Sequence, residues 1–73
     1  MDNFTERFNE VLNETGMNGT QISKLLGIHP PTLVKYKKGI SGMSMETLYN
    51  FCNTFNVSAD WLLGLSQTKK IKE

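Results

Sequence analysis

Five residues suited to left-handed backbone punctuate this chain of 73 residues, and each follows an apolar run with helical spacing: Gly16, Gly27, Gly39, Asn56 and Gly64. Such a residue stops a helix, because glycine takes positive φ without a Cβ clash and asparagine does so at modest cost. Five stops at these intervals leave room for five short helices. The starts agree with them. A hydrophobic staple sets one apolar residue before the N-cap and another five positions later. Four such pairs occur: Met17 with Ile22 about Asn18, Ile28 with Leu33 about His29, Met43 with Leu48 about Ser44, and Val57 with Leu62 about Ser58. Asn18 and Gln21 add the spacing of a capping box. The pattern predicts helices near residues 3–15, 19–26, 30–38, 45–55 and 59–64.

A chain of this length holds one core, which excludes a Rossmann unit or a barrel. Cys52 is the single cysteine and His29 the single histidine, so neither an internal disulfide nor a Cys/His metal site can staple the fold. Stability must come from packing, and compact helices are the economical way to obtain it. The expected class is all-α, a compact five-helix bundle. Phe4, Phe8, Val11 and Leu12 mark the buried face of the first helix, and Phe51, Cys52, Phe55 and Trp61 read as core. With 38% hydrophobic and 21% charged residues the composition is that of an ordinary globular domain. No apolar leader and no 18-residue apolar run is present, so the expectation is a cytoplasmic protein with no membrane partner. Residues 1–65 make the domain, and the polar, Lys-rich residues 66–73 read as a frayed end or linker.

The net charge of +1 conceals a strong asymmetry. Residues 1–14 carry Asp2, Glu6, Glu10 and Glu14 against Arg7, whereas residues 15–45 carry Lys24, Lys35, Lys37 and Lys38 and no acid. The acids recur every four residues as one negative stripe, which should face away from any anionic partner. The basic stretch coincides with the sharpest turn in the pattern. Only Ile28 and His29 separate Gly27 from the next helix, so helices two and three must meet at a steep angle with a helix-turn-helix geometry. Ile22, Leu26, Ile28, Leu33 and Tyr36 supply the apolar positions of this unit, and small Ser23 lies where the helices approach.

These features resemble the lambda-repressor-like helix-turn-helix family of phage repressors and xenobiotic-response-element regulators. The resemblance spans roughly residues 4–65 and is carried by Ile22-Ser23-Lys24-Leu25-Leu26-Gly27-Ile28, by the Gly27 to Gly39 spacing, and by Asn56-Val57-Ser58-Ala59-Asp60-Trp61-Leu62-Leu63-Gly64. It implies a double-stranded DNA partner, with His29, Pro30, Pro31 and Thr32, and Lys35 one turn later, facing the major groove. It further implies that Asn18 and Gly19 meet the DNA backbone, although Gly19 stands where many relatives carry a glutamine. The residues themselves add detail. Pro30 and Pro31 suit a first helical turn on structural grounds alone, and against DNA their rings could meet only apolar surface such as a thymine methyl. Lys35 can reach guanine or a phosphate, Lys37 and Lys38 are expected on phosphates, and His29 is expected either to cap its helix or to contact a phosphate.

Catalysis lacks a constellation: one histidine and one cysteine sit on separate elements, and no Gly-rich phosphate loop follows a strand. The expected protein is therefore no enzyme, without cofactor, metal or evident small-molecule substrate. It reads as a sequence-specific regulator of transcription, a bacterial or phage repressor. One module covers too little DNA for a tight specific site, so a homodimer on a palindromic operator is expected, with Ala59, Leu62 and Leu65 as its contact residues. The alternative is a protein-interaction module on the same fold: an antitoxin, anti-repressor or adaptor.

Overall fold

Capping and closure decide where each helix begins and ends. The computed structural model describes residues 2–71 and contains α1 (Asp2–Thr15), α2 (Gly19–Leu26), α3 (Pro30–Lys38), α4 (Met45–Phe55) and α5 (Ala59–Leu62). At the start of α2, the Asn18 side-chain oxygen accepts from the Gln21 N–H at 2.9 Å. Gln21 Oε1 accepts from the Asn18 N–H at 3.1 Å, which completes the reciprocal box. Ser44 and Ser58 cap α4 and α5 by accepting from the N–H groups of Thr47 and Trp61. At the end of α2, Gly27 adopts φ 67° and lets the Ile28 N–H reach back to the Ser23 carbonyl at 3.0 Å. The same closing bond recurs from Ile40 to Lys35, from Val57 to Cys52 and from Leu65 to Asp60. The last of these stops α5 at Leu62, two residues short of the expected 64, because the chain has already turned back at Leu63 and Gly64.

All eight staple residues lie in or against one core, so the local start signals are also the tertiary contacts. Phe8 and Phe51 are fully enclosed with their rings 4.8 Å apart, and Tyr36 meets Phe8 edge-on at 6.3 Å. Burial of each such side chain contributes roughly 1.5 to 3 kcal/mol. Helix α1 packs on α3 and α5, α2 on α3 and α4, and α4 on α5. Helix α3 is thus held from behind by both α1 and α2. No helix among the described residues is long and apolar enough to cross a membrane.

The segment after Gly64 differs from the expected frayed end or linker. The Ser58 N–H donates to the Lys69 carbonyl at 2.7 Å, Val57 and Lys70 form an isolated antiparallel bridge, and the Ile71 N–H reaches Asn56 at 3.4 Å. Lys69 Nζ lies 2.8 Å from Glu10 Oε2 and 2.7 Å from Glu14 Oε2, and 5.2 Å from the centre of the Trp61 ring. Arg7 donates to the carbonyls of Trp61 and Ser66, with its guanidinium 4.8 Å from the same ring. The physical reason is local. Two carboxylates one helical turn apart present a ready site for one ammonium, and the ring adds a cation–π contact. Residues 72 and 73 of the expected tail lie outside the described residues.

Candidate nucleic-acid interface

Gly27, Ile28 and His29 are the whole connection between α2 and α3, and Ile28 is half-buried beneath it. Ser23 is buried where these helices adjoin the core, with its hydroxyl unpaired, so the small side chain serves close packing. Leu33 and Tyr36 turn α3 inward. The opposite side therefore presents Pro30, Pro31, Val34, Lys35 and Lys38 at helical spacings of one face, all of them exposed, with Lys37 exposed and Thr32 half-buried beside them.

Both ends of this face are fixed. Pro30 and Pro31 occupy the first two positions of α3, where missing N–H groups cost nothing. His29 is the N-cap residue but makes no side-chain cap, so the capping role expected as one of its two alternatives is not made. At the far end, Asn9 Nδ2 donates to the Lys37 carbonyl at 2.9 Å and to the Thr5 carbonyl at 3.0 Å. Gly39, at φ 72°, is pressed so close to α1 that a Cβ there would lie 2.8 Å from Thr5 Oγ1. The lysine-bearing end of α3 is thereby clamped to α1.

Of the remaining predicted backbone contacts, Asn18 is exposed, with its side-chain oxygen committed to Gln21. Gly19 is exposed in the first turn of α2, and a Cβ there would meet only Leu33 Cδ2 at an ordinary 3.8 Å. Lys24, Lys35, Lys37 and Lys38 are all exposed on α2 and α3, with no carboxylate anywhere in residues 15–45. The cations in the last turn of α3 also offset the negative end of its dipole. The charge is segregated: Glu10 and Glu14 of α1 are engaged by Lys69 beside Trp61 and α5.

The expected dimer residues do not come together. Leu62 has no exposed surface at all and belongs to the core, so it cannot contact another copy; its staple with Val57 turns it inward. Ala59 is half-buried and Leu65 is 76% exposed. Cys52 is buried, and burial pushes its thiol pKa up, away from the reactive thiolate. The sequence pattern missed the exposure of Val34 and the bracing role of Asn9. The first was legible as the position four residues after Pro30; the second had no signal in apolar periodicity. The family model described as a helix-turn-helix domain matches residues 5–67. Comparison with curated proteins and with solved structures finds no match.

Proposed function

The chain belongs to the helix-turn-helix domain family, and from that premise we propose that it binds double-stranded DNA sequence-specifically as a lambda-repressor-like regulator of transcription. The observation that carries this reading is the exposed face of α3, where three lysines stand on a helix clamped from behind within a stretch, residues 15–45, that holds no acid. Affinity comes from lysine contacts to phosphates, and discrimination from α3 lying in the major groove. The chain acts as a repressor by occupying a promoter, as a homodimer on a palindromic operator, and it catalyses no reaction. Its origin is a bacterium or a phage.

The test is a selection of bound duplexes from a random pool, followed by two variants. Lys35→Ala relaxes the preference at one or two base pairs at a cost of about 1 to 3 kcal/mol, whereas Lys38→Ala weakens all sequences evenly. Equal losses across every site for both variants make Lys35 a phosphate contact and remove it from base reading. A second reading, a protein-interaction module such as an antitoxin, anti-repressor or adaptor, is favoured by one observation. Pro30, Pro31 and Val34 place apolar groups without hydrogen-bond donors where base contacts are expected. Absence of duplex binding at low salt would select that reading.

A further inference from the structure

A cavity of about 330 Å³ lies where α1, α3, α4, the loop between α3 and α4, and the residue that closes α5 converge. Phe4, Tyr36, Met43, Leu48 and Leu63 give it apolar walls, and residues 39–42 complete most of the lining. No charged side chain takes part. Sites for small molecules have this character: concave, mostly apolar, and supplied with a few polar groups that orient the ligand.

Tyr36 supplies such a group. Its side chain is only 7% exposed and its ring is held edge-on against Phe8, so the phenol is fixed by the core. No group among the described residues bonds its hydroxyl, and that hydroxyl is not sealed in the interior as the Ser23 hydroxyl is. Buried tyrosines ordinarily find a partner for this group. Here the residue borders the cavity, and the partner's place is inside it.

We propose that this cavity binds a small, uncharged, largely apolar ring compound whose single carbonyl or hydroxyl pairs with the Tyr36 hydroxyl. Charge, size and polarity together select that occupant. An ionised ligand would lose its water and find no counter-charge in the lining, since the charged chain neighbours Glu6 and Lys38 are exposed and outside it. One turn of a partner's helix, about 10 Å across and 5.4 Å high, would need about 420 Å³, more than the space available. A pure hydrocarbon would leave the phenol unpaired. The occupant would also touch the seam that holds α3, because Thr5 and Gly39, which press together there, both line the cavity.

Two probes of the same shape test this: β-acetylnaphthalene, neutral with one carbonyl, and β-naphthoate, its anionic counterpart. Each has about 13 non-hydrogen atoms, which at ordinary ligand efficiency sets a Kd near 1 mM for the neutral probe. The full chain is titrated with each and followed by amide NMR, without DNA, so the outcome is independent of the DNA reading. The neutral probe should shift Phe4, Thr5, residues 39–43, Leu48 and Leu63, and β-naphthoate should bind at least about tenfold more weakly. Tyr36→Phe keeps the ring and removes the hydroxyl, and should weaken the neutral probe about two- to tenfold. Ile40→Lys, at a lining position that is 70% exposed, supplies a counter-charge and should bring β-naphthoate to the affinity of the neutral probe. No shifts at the lining residues, equal binding of both probes by the parent, or shifts centred on Met45 and Tyr49 instead overturn the proposal. An unchanged Kd in Tyr36→Phe overturns the role given to the hydroxyl. Should that variant not fold, the two probes on the parent and on Ile40→Lys still decide the selection for an uncharged ligand.

Discussion

Replacing Lys37 and Lys38 by glutamine puts the electrostatic argument to a quantitative test. Lys24, Lys35, Lys37 and Lys38 are exposed on α2 and α3, whereas Lys69 is already held by Glu10 and Glu14 and leaves the count. Three or four phosphates neutralised per copy, at about 0.9 counterion each, give a dimer a log–log salt slope of about −5 to −7. Between about 50 and 200 mM salt the affinity should then fall about 10³- to 10⁴-fold. The double variant removes up to two phosphates per copy and should flatten the slope to about −2 to −4. The fold should survive, because Asn9 binds the Lys37 carbonyl and not its side chain. Loss of both cations near the helix end costs about 0.3 to 1 kcal/mol each. Fluorescence anisotropy with a labelled duplex across that salt range reads the slope, with Lys69→Gln as the control that leaves it in place. A parent slope near zero, or an equal slope in parent and double variant, would refute the reasoning.

Gly39→Ala should destabilise by clearly more than the about 1 kcal/mol expected for Gly27→Ala in chemical denaturation. Both have positive φ, but only Gly39 has a side chain in the way, and the gap should close in a Thr5→Ala background. Leu62→Ala should cost about 2 to 5 kcal/mol as a core cavity; a loss under about 1 kcal/mol would place Leu62 at the surface after all. Hydrogen bonds from Lys69 to Glu10 and Glu14 raise the lysine pKa above its ordinary value. Its contribution is therefore complete below the unfolded pKa of about 10.4 and is lost as pH rises through the higher folded value. The pair is partly solvated, so the stability gap between parent and Lys69→Gln should be within about 1 kcal/mol at neutral pH and should vanish at strongly alkaline pH; a gap that persists there would assign the effect to packing.

Helix limits were legible because caps, staples and left-handed stops act within about six residues, and their partners are fixed by spacing alone. The same locality explains what was not legible. Residues 66–71 dock through Lys69, whose partners Glu10 and Glu14 lie more than fifty residues away, and nothing in a helical period links the two. Asn9 reaching the Lys37 carbonyl is likewise a contact between elements that only the assembled bundle defines. Leu62 is the instructive case, since it was expected both to complete the Val57 staple and to contact another copy. A helix of four residues has too little circumference for both, and burial of the staple prevails. The exposure of Met45 and Tyr49 on α4 escaped notice because they follow a helical spacing indistinguishable from that of core positions.

The polarity of α3 explains how a face with so few hydrogen-bonding groups can still suit DNA. Helices commonly hold phosphates at their N-termini, where unpaired N–H groups and the dipole attract anions. In α3 the first two N–H groups do not exist, because Pro30 and Pro31 stand there. The next two, of Thr32 and Leu33, both donate to the His29 carbonyl, at 2.9 and 3.2 Å. No N–H of the first turn is left for an anion. The charge stands at the other end, on Lys35, Lys37 and Lys38, where it offsets the negative end of the dipole and where Asn9 and Thr5 of α1 hold the backbone in place. Under the DNA reading, phosphate anchoring therefore enters from the C-terminal half of α3. Its N-terminal half offers pyrrolidine rings and the Val34 methyls, groups that can distinguish a thymine methyl or a groove width, with half-buried Thr32 as its one side-chain hydroxyl. Anchoring by Lys37 and Lys38 and reading by the first turn thus fall at the two ends of one nine-residue helix, with Lys35 between them, and the clamp to α1 keeps their relative position constant.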